Sequence, residues 1–125
     1  MREITYSQAI REAMSEEMER DTNIVFMGED IGVYGGAFGV SRGMVEQFGI
    51  HRVLDTPISE LAIVGAATGA AMTGLRPIVE LMFSDFITLA MDIGHVYAPL
   101  SFSALTDVAK DIDPTLRCLA RSPKG

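Results

Sequence analysis

Two short acidic stretches carry the side chains best able to move a proton. The first is Asp55-Thr-Pro-Ile-Ser-Glu60, where Glu60 stands among Ile58, Leu61, Ile63 and a run of small residues. A carboxyl group in apolar surroundings can share its proton near neutral pH, as a general acid or base must. The second is Glu29-Asp30, directly after the apolar run Ile24-Val-Phe-Met-Gly28. Acids at the carboxyl end of such a run either open a solvated loop or line a ligand crevice. Glu60 has a plain alternative too: an acid in the first turn of a helix is favourable with the helix dipole by about 0.3–1 kcal/mol.

Other chemistries are excluded by what surrounds these acids. The loop from Gly32 to Gly43 holds Gly32, Gly35, Gly36 and Gly39, and a glycine-rich loop can cradle phosphate. Neither G-x-G-x-x-G nor G-x-x-x-x-G-K-[ST] is present, so the loop is neither a dinucleotide fingerprint nor a P-loop. A single cysteine, Cys118, rules out an internal disulfide framework. The net charge of −7 argues against nucleic acid or an anionic membrane as partner. Met1-Arg-Glu-Ile starts on polar residues, which is unlike a secretory signal and fits a cytoplasmic protein.

The elements that must position the acids follow from local chemistry. Thr5-Tyr-Ser-Gln8 has capping-box spacing and predicts a helix to about Arg20, with Tyr6, Ile10, Ala13, Met14 and Met18 as its apolar stripe. Ile24–Gly28 reads as a strand buried on both faces of a parallel sheet. Ser41 is expected to cap a short helix through Met44, Val45 and Phe48, closed by Gly49. Val53 and Leu54 end a second strand; Pro57 forbids helix just ahead of it, and Ser59 caps the next helix.

That helix, Leu61 to Thr73, has Ala or Gly at seven of its thirteen positions. Helical glycine costs about 1 kcal/mol relative to alanine, so Gly65 and Gly69, on one face, imply close approach by another helix or a ligand. The apolar stretch between Glu60 and Arg76 falls short of the roughly 20 residues a membrane span needs. Gly74 caps its end, residues 76–82 read as a strand with Pro77 at its start, and Phe83–Phe86 leads into a helix through Ile87, Ala90 and Met91. At 125 residues the chain is one domain at most: an α/β fold with a mostly parallel sheet flanked by helices.

Asp55–Glu60, the order E-x4-G-x3-G from Glu60 through Gly65 to Gly69, and Gly74-Leu-Arg-Pro-Ile-Val-Glu-Leu-Met-Phe-Ser-Asp-Phe86 together resemble a known family. It is the beta subunit of thiamine-diphosphate-dependent 2-oxo acid dehydrogenases of the pyruvate and acetoin type. Gly-Gly-Ala-Phe-Gly-Val and Ser-Arg-Gly at residues 35–43 look like a loop of the same family. The resemblance covers Arg2 to Asp92, so residues 1–92 are expected to form part of a transketolase-like pyrimidine-binding domain, incomplete at its carboxyl end. Residues 93–125 form a divergent tail, in which only Ala104–Lys110 reads as a brief helix.

The resemblance implies roles residue by residue. Glu60 matches the catalytic carboxyl group that hydrogen-bonds the cofactor's pyrimidine ring nitrogen. Glu29 matches an acid near the cofactor, in a polar channel leading away from it. Phe86 matches the aromatic residue against the pyrimidine ring, with Met82 nearby. The family shares thiamine diphosphate with an alpha subunit, which holds the magnesium ion; this chain has no Gly-Asp-Gly followed by a downstream Asn and is assigned no metal ligand. Implied partners are that alpha subunit, a second beta subunit and a lipoyl-bearing acyltransferase. The chain alone is expected to be inactive. A histidine the family uses further on has no match, and neither His51 nor His95 is given its role. The competing expectation is a non-catalytic remnant that binds a partner through its small-residue helix.

Overall fold

The computed structural model describes residues 3–91 and 93. The first helix, α1, is Tyr6–Arg20. Its capping box forms as the spacing predicts: the Gln8 amide donates to Thr5 Oγ1 (3.3 Å), and the Thr5 amide donates to Gln8 Oε1 (2.9 Å). Ala13, Met14 and Met18 are buried, but Tyr6 is 77% exposed and does not belong to the stripe. Length explains the difference. Fifteen helical residues span about 22 Å, and the five-residue strand β1, Ile24–Gly28, spans about 16 Å, so the first turn of α1 overruns the sheet.

The sheet has three strands in the order β2-β1-β3, all parallel. Strand β2 is Val53–Asp55, in register as Phe26 with Val53 and Gly28 with Asp55. Strand β3 is Arg76–Val79, with Ile24 opposite Arg76 and Met27 opposite Val79. Between β1 and β2 lies α2, Met44–Phe48; between β2 and β3 lies α3, Glu60–Met72. Strand β3 is three residues shorter than expected. Past the Glu80 amide, which donates to the Met27 carbonyl (2.9 Å), β1 has ended and offers nothing to pair with.

Side-chain alternation sorts the faces. Ile24 and Phe26 of β1 pack with Val53, with Met14 and Met18 of α1, and with Met44 of α2. Val25 is also buried but stands outside that cluster, as do Ile63 and Ala67 of α3. So α1 and α2 cover one face, α3 covers the other, and β1 is buried on both sides as its apolar run implied.

Two caps differ from expectation or complete it. Ser41 does not cap α2; Gly43 does, in a left-handed conformation, while the Ser41 hydroxyl turns inward and its carbonyl accepts the Met44 amide. Ser59 caps α3 as expected, accepting the Ala62 amide (3.4 Å). Gly65 shows the anticipated close approach, since a Cβ there would lie 3.1 Å from Ile93 Cδ1; Gly69 faces nothing within 4 Å. After β3, Ser84–Phe86 forms a 3-10 turn that runs into helix at residue 87. The helix expected at Ala104–Lys110, and His95, lie outside the described residues. Among the described residues no helix is long and apolar enough to cross a membrane.

Arg52 ties these pieces together. Its guanidinium donates four hydrogen bonds, to the carbonyls of Met18 (2.8 Å), Asp21 (2.8 Å) and Ile24 (3.0 and 2.9 Å). It also lies over the Phe48 ring at 5.3 Å. One side chain entering β2 thus satisfies the carboxyl end of α1, the turn after it and the first residue of β1. Arg52→Met keeps the stem and leaves those carbonyls without their charged donor. Chemical denaturation should show a loss of roughly 2–4 kcal/mol, with Arg52→Lys recovering little because it lacks the planar fork.

Candidate functional site

The topology creates one natural crevice. Strand β1 hands the chain to the face that carries α1 and α2, whereas its neighbour β2 hands it to α3 on the opposite face. Adjacent parallel strands whose exits diverge leave a gap outside their carboxyl ends, and ligands bind there. Glu29 follows β1 at one side of this gap; Thr56 to Glu60 follow β2 at the other. The Thr56 amide donates to the Gly28 carbonyl (2.9 Å), holding the two exits together.

The two acids predicted to be functional meet at this point. Glu29 is 8% exposed and Glu60 is 9% exposed. Desolvation pushes the Glu29 carboxyl above the ordinary carboxylate range, and the negative charge of Glu60 adds to the push. The backbone amide of Ser59, at the start of α3, acts against it, and Asp30 contributes a smaller upward effect. Glu29 Oε1 is buried and has no hydrogen-bond partner, and neither has Thr56 Oγ1. Asp30 turns the chain directly after Glu29. With φ at 54° it is, among the described residues, the non-glycine one held left-handed, and beyond its turn Ile31 enters the core beside α1 and α2.

The glycine loop is a structural partner of the site. Asp55 Oδ1 accepts the Gly32 amide (2.7 Å), and a Cβ at Gly32 would collide with that carboxylate. Gly36, at φ 77°, donates to the Asp30 carbonyl (2.8 Å). A Cβ on Gly36 would lie 3.0 Å from Ser41 Oγ and 3.2 Å from Glu80 Oε1. Both of those oxygens are buried without a partner, and desolvation raises the Glu80 carboxyl above its ordinary value. Sequence reasoning overlooked Glu80, although a lone acid inside the apolar run Ile78–Met82 was a usable signal.

Met82 and Phe86 lie one strand over, beyond the end of β3, at the same carboxyl edge of the sheet. Met82 is half-buried and Phe86 is 41% exposed. The described contact of the Phe86 ring is with Phe83, edge-on at 5.8 Å, and Phe83 in turn meets Phe38 of the glycine loop at 5.9 Å.

These residues fit the pyrimidine end of thiamine diphosphate. That ring needs a carboxyl group for a ring nitrogen and an apolar surface to lie on; the buried Glu60 and Glu29 carboxyls and the part-exposed Phe86 ring are groups of those kinds. Among the described residues no group of three or more His, Cys, Asp or Glu side chains is arranged to hold a metal ion.

Comparison with known proteins agrees with this assignment of the fold. Residues 2–110 match the family described as transketolase, pyrimidine binding domain. The chain is 51% identical over 92 residues to the pyruvate dehydrogenase E1 component subunit beta of Chaetosphaeridium globosum, an alignment covering 74% of this chain and 28% of that protein. It is 52% identical over 89 residues to the 2-oxoisovalerate dehydrogenase subunit beta of Bacillus subtilis, covering 71% and 27%. The pyruvate dehydrogenase E1 component subunit beta of Rickettsia bellii is 52% identical over 90 residues, covering 72% and 28%. The chain therefore spans little more than a quarter of these curated relatives.

The raised Glu29 carboxyl has a sign that stability can report. Its folded state binds the proton more tightly than the unfolded chain, whose ordinary value is 4.5. Stability contributed by the neutral form is then lost as pH rises through the raised value. Melting temperatures of the native chain and Glu29→Gln, compared from acid to neutral pH, should diverge in favour of the variant as pH rises. Parallel curves would mean that Glu29 is solvated.

Proposed function

Since this chain belongs to the transketolase pyrimidine-binding domain family, we propose that it acts as the pyrimidine-binding part of a beta subunit of a thiamine-diphosphate-dependent 2-oxo acid or acetoin dehydrogenase. The observation that carries the reading is the pair of buried acids, Glu29 and Glu60, on the segments that leave the carboxyl ends of β1 and β2. Its likeness to the dehydrogenase beta subunits supports it. On this reading residues 1–92 form part of the domain and residues 93–125 a divergent tail, while the family match itself runs on to residue 110.

Glu60 is the catalytic residue. It would hold a proton against the pyrimidine ring nitrogen, and the first turn of α3 fixes it there through the Ser59 cap. Glu29, whose carboxyl desolvation raises above its ordinary value, stands beside it at the exit of β1. Phe86, with Met82 near it, offers the ring an apolar surface. Thiamine diphosphate, when bound, supplies the carbon nucleophile that adds to the carbonyl of a 2-oxo acid or of acetoin. What the chain itself contributes is orientation, desolvation and a placed proton.

The partners follow from the same proposal. An alpha subunit would hold the diphosphate and its magnesium ion, a second beta subunit would complete a heterotetramer, and a lipoyl-bearing acyltransferase would take the acyl unit. The setting proposed is the cytoplasm. Binding of thiamine diphosphate, measured with and without an alpha subunit, tests the reading; no binding in either arrangement leaves the alternative of a non-catalytic partner-binding module.

Two outcomes are expected. The 125-residue chain alone turns over neither pyruvate nor acetoin. With residues 1–92 grafted onto a complete beta subunit and assembled with its alpha partner, Glu60→Gln lowers turnover by roughly 10²–10⁴, the range for a positioned acid or base. Stability should shift by no more than about 2 kcal/mol, the upper helix-dipole contribution of a partly buried charge. Unimpaired turnover in that preparation removes Glu60 from the chemistry.

A further inference from the structure

Three aromatic rings form a chain along the carboxyl edge of the sheet. Phe38 meets Phe83 at 5.9 Å and 81°, and Phe83 meets Phe86 at 5.8 Å and 88°. Both contacts are edge-to-face, the arrangement in which the positive rim of one ring meets the negative face of the next. The rings are 61%, 49% and 41% exposed, so no packed core holds them in place. They come from two separate segments: Phe83 and Phe86 flank the 3-10 turn after β3, and Phe38 belongs to the glycine loop.

The loop end of this chain is firmly tied. Gly32 is bonded to Asp55, Gly36 to the Asp30 carbonyl and Gly39 to the Gly36 carbonyl (3.1 Å). Gly36 and Gly39, at φ 77° and 71°, turn the backbone on either side of Ala37-Phe38 and present the Phe38 ring outward. The Phe86 backbone is held by its amide's bond to the Phe83 carbonyl (3.1 Å), but its ring is part-exposed, and the described ring contact is with Phe83.

We infer that Phe38 is a positioning residue: through Phe83 it sets the orientation of the Phe86 ring, so that the glycine loop determines how a flat heteroaromatic ligand lies against that ring. The orientation of Phe86 follows from the geometry of the three rings. The ligand step rests on the function proposed above, with an aminopyrimidine as the flat group.

The chain has no tryptophan, so Phe86→Trp installs a single fluorescent reporter. In that background Phe38→Ala should move the indole emission to longer wavelength and lower its anisotropy, and Phe38→Tyr should restore both. An indole indifferent to Phe38, or equally disturbed by Phe38→Tyr, overturns the inference. In chains retaining Phe86, binding of thiamine diphosphate with magnesium is then measured on the full chain together with an alpha subunit. Phe38→Ala should weaken it about 2–10-fold, the factor that one lost aromatic pair gives, with an unchanged melting temperature. If the indole responds but the unsubstituted chain binds no thiamine diphosphate, the proposed function fails and the positioning role of Phe38 stands. If binding occurs and ignores Phe38→Ala, the ligand step is wrong.

Discussion

The constraint on which the rest depends is the double burial of β1. Ile24–Gly28 is hydrogen-bonded to a strand on each side and covered by helices on each face. A strand in that position cannot bend, slip or change sides without exposing apolar surface on one face. Its neighbours run parallel to it and end at the same edge. Their connections must also part to opposite faces, because each face needs its own helix. The gap at the carboxyl end of β1 follows from this requirement, and no special loop is needed to create it.

The gap gathers groups that folding alone would avoid. Two carboxyl groups are buried there, and four buried polar oxygens lack partners among the described residues: Glu29 Oε1, Ser41 Oγ, Thr56 Oγ1 and Glu80 Oε1. Each unpaired buried polar group costs about 1–3 kcal/mol. All four lie on segments leaving the carboxyl ends of the strands or on the loop packed against them. The amino-terminal half of the fold behaves differently, since Arg52 alone satisfies three carbonyls there. Stability is concentrated at one end of the sheet and unmet hydrogen-bonding capacity at the other, the division expected when a site is built on a rigid scaffold.

What the sequence made legible was what short range determines. Thr5 and Gln8 announce the start of α1, Ser59 announces α3, and the continuous run Ile24–Gly28 identifies the central strand. Glu29 and Glu60 stood out because each adjoins such an element. Residues whose meaning depends on distant partners were misread or overlooked. Tyr6 follows the helical period, yet α1 outreaches the sheet there. Ser41 has the chemistry of a cap, but the backbone turns at Gly43 and buries the hydroxyl against the loop. Glu80 and Phe38 become informative only once the loop packs against the end of β3, a strand that starts 44 positions after Gly32.

The acidic pair shows why the fold, and not the identity of the two residues, sets their chemistry. Two glutamates in water would both be ionised and interchangeable. Here Glu29 leaves a strand through the left-handed turn at Asp30, and its carboxyl loses solvent without gaining a donor for Oε1. Glu60 instead begins a helix, directly after the Ser59 cap. The Ser59 amide reaches even Glu29 from that helix terminus, but does not outweigh burial and the neighbouring charge. Two chemically equal side chains are thereby made unequal by a strand exit and a helix start. The topology of three parallel strands is sufficient to place them so differently.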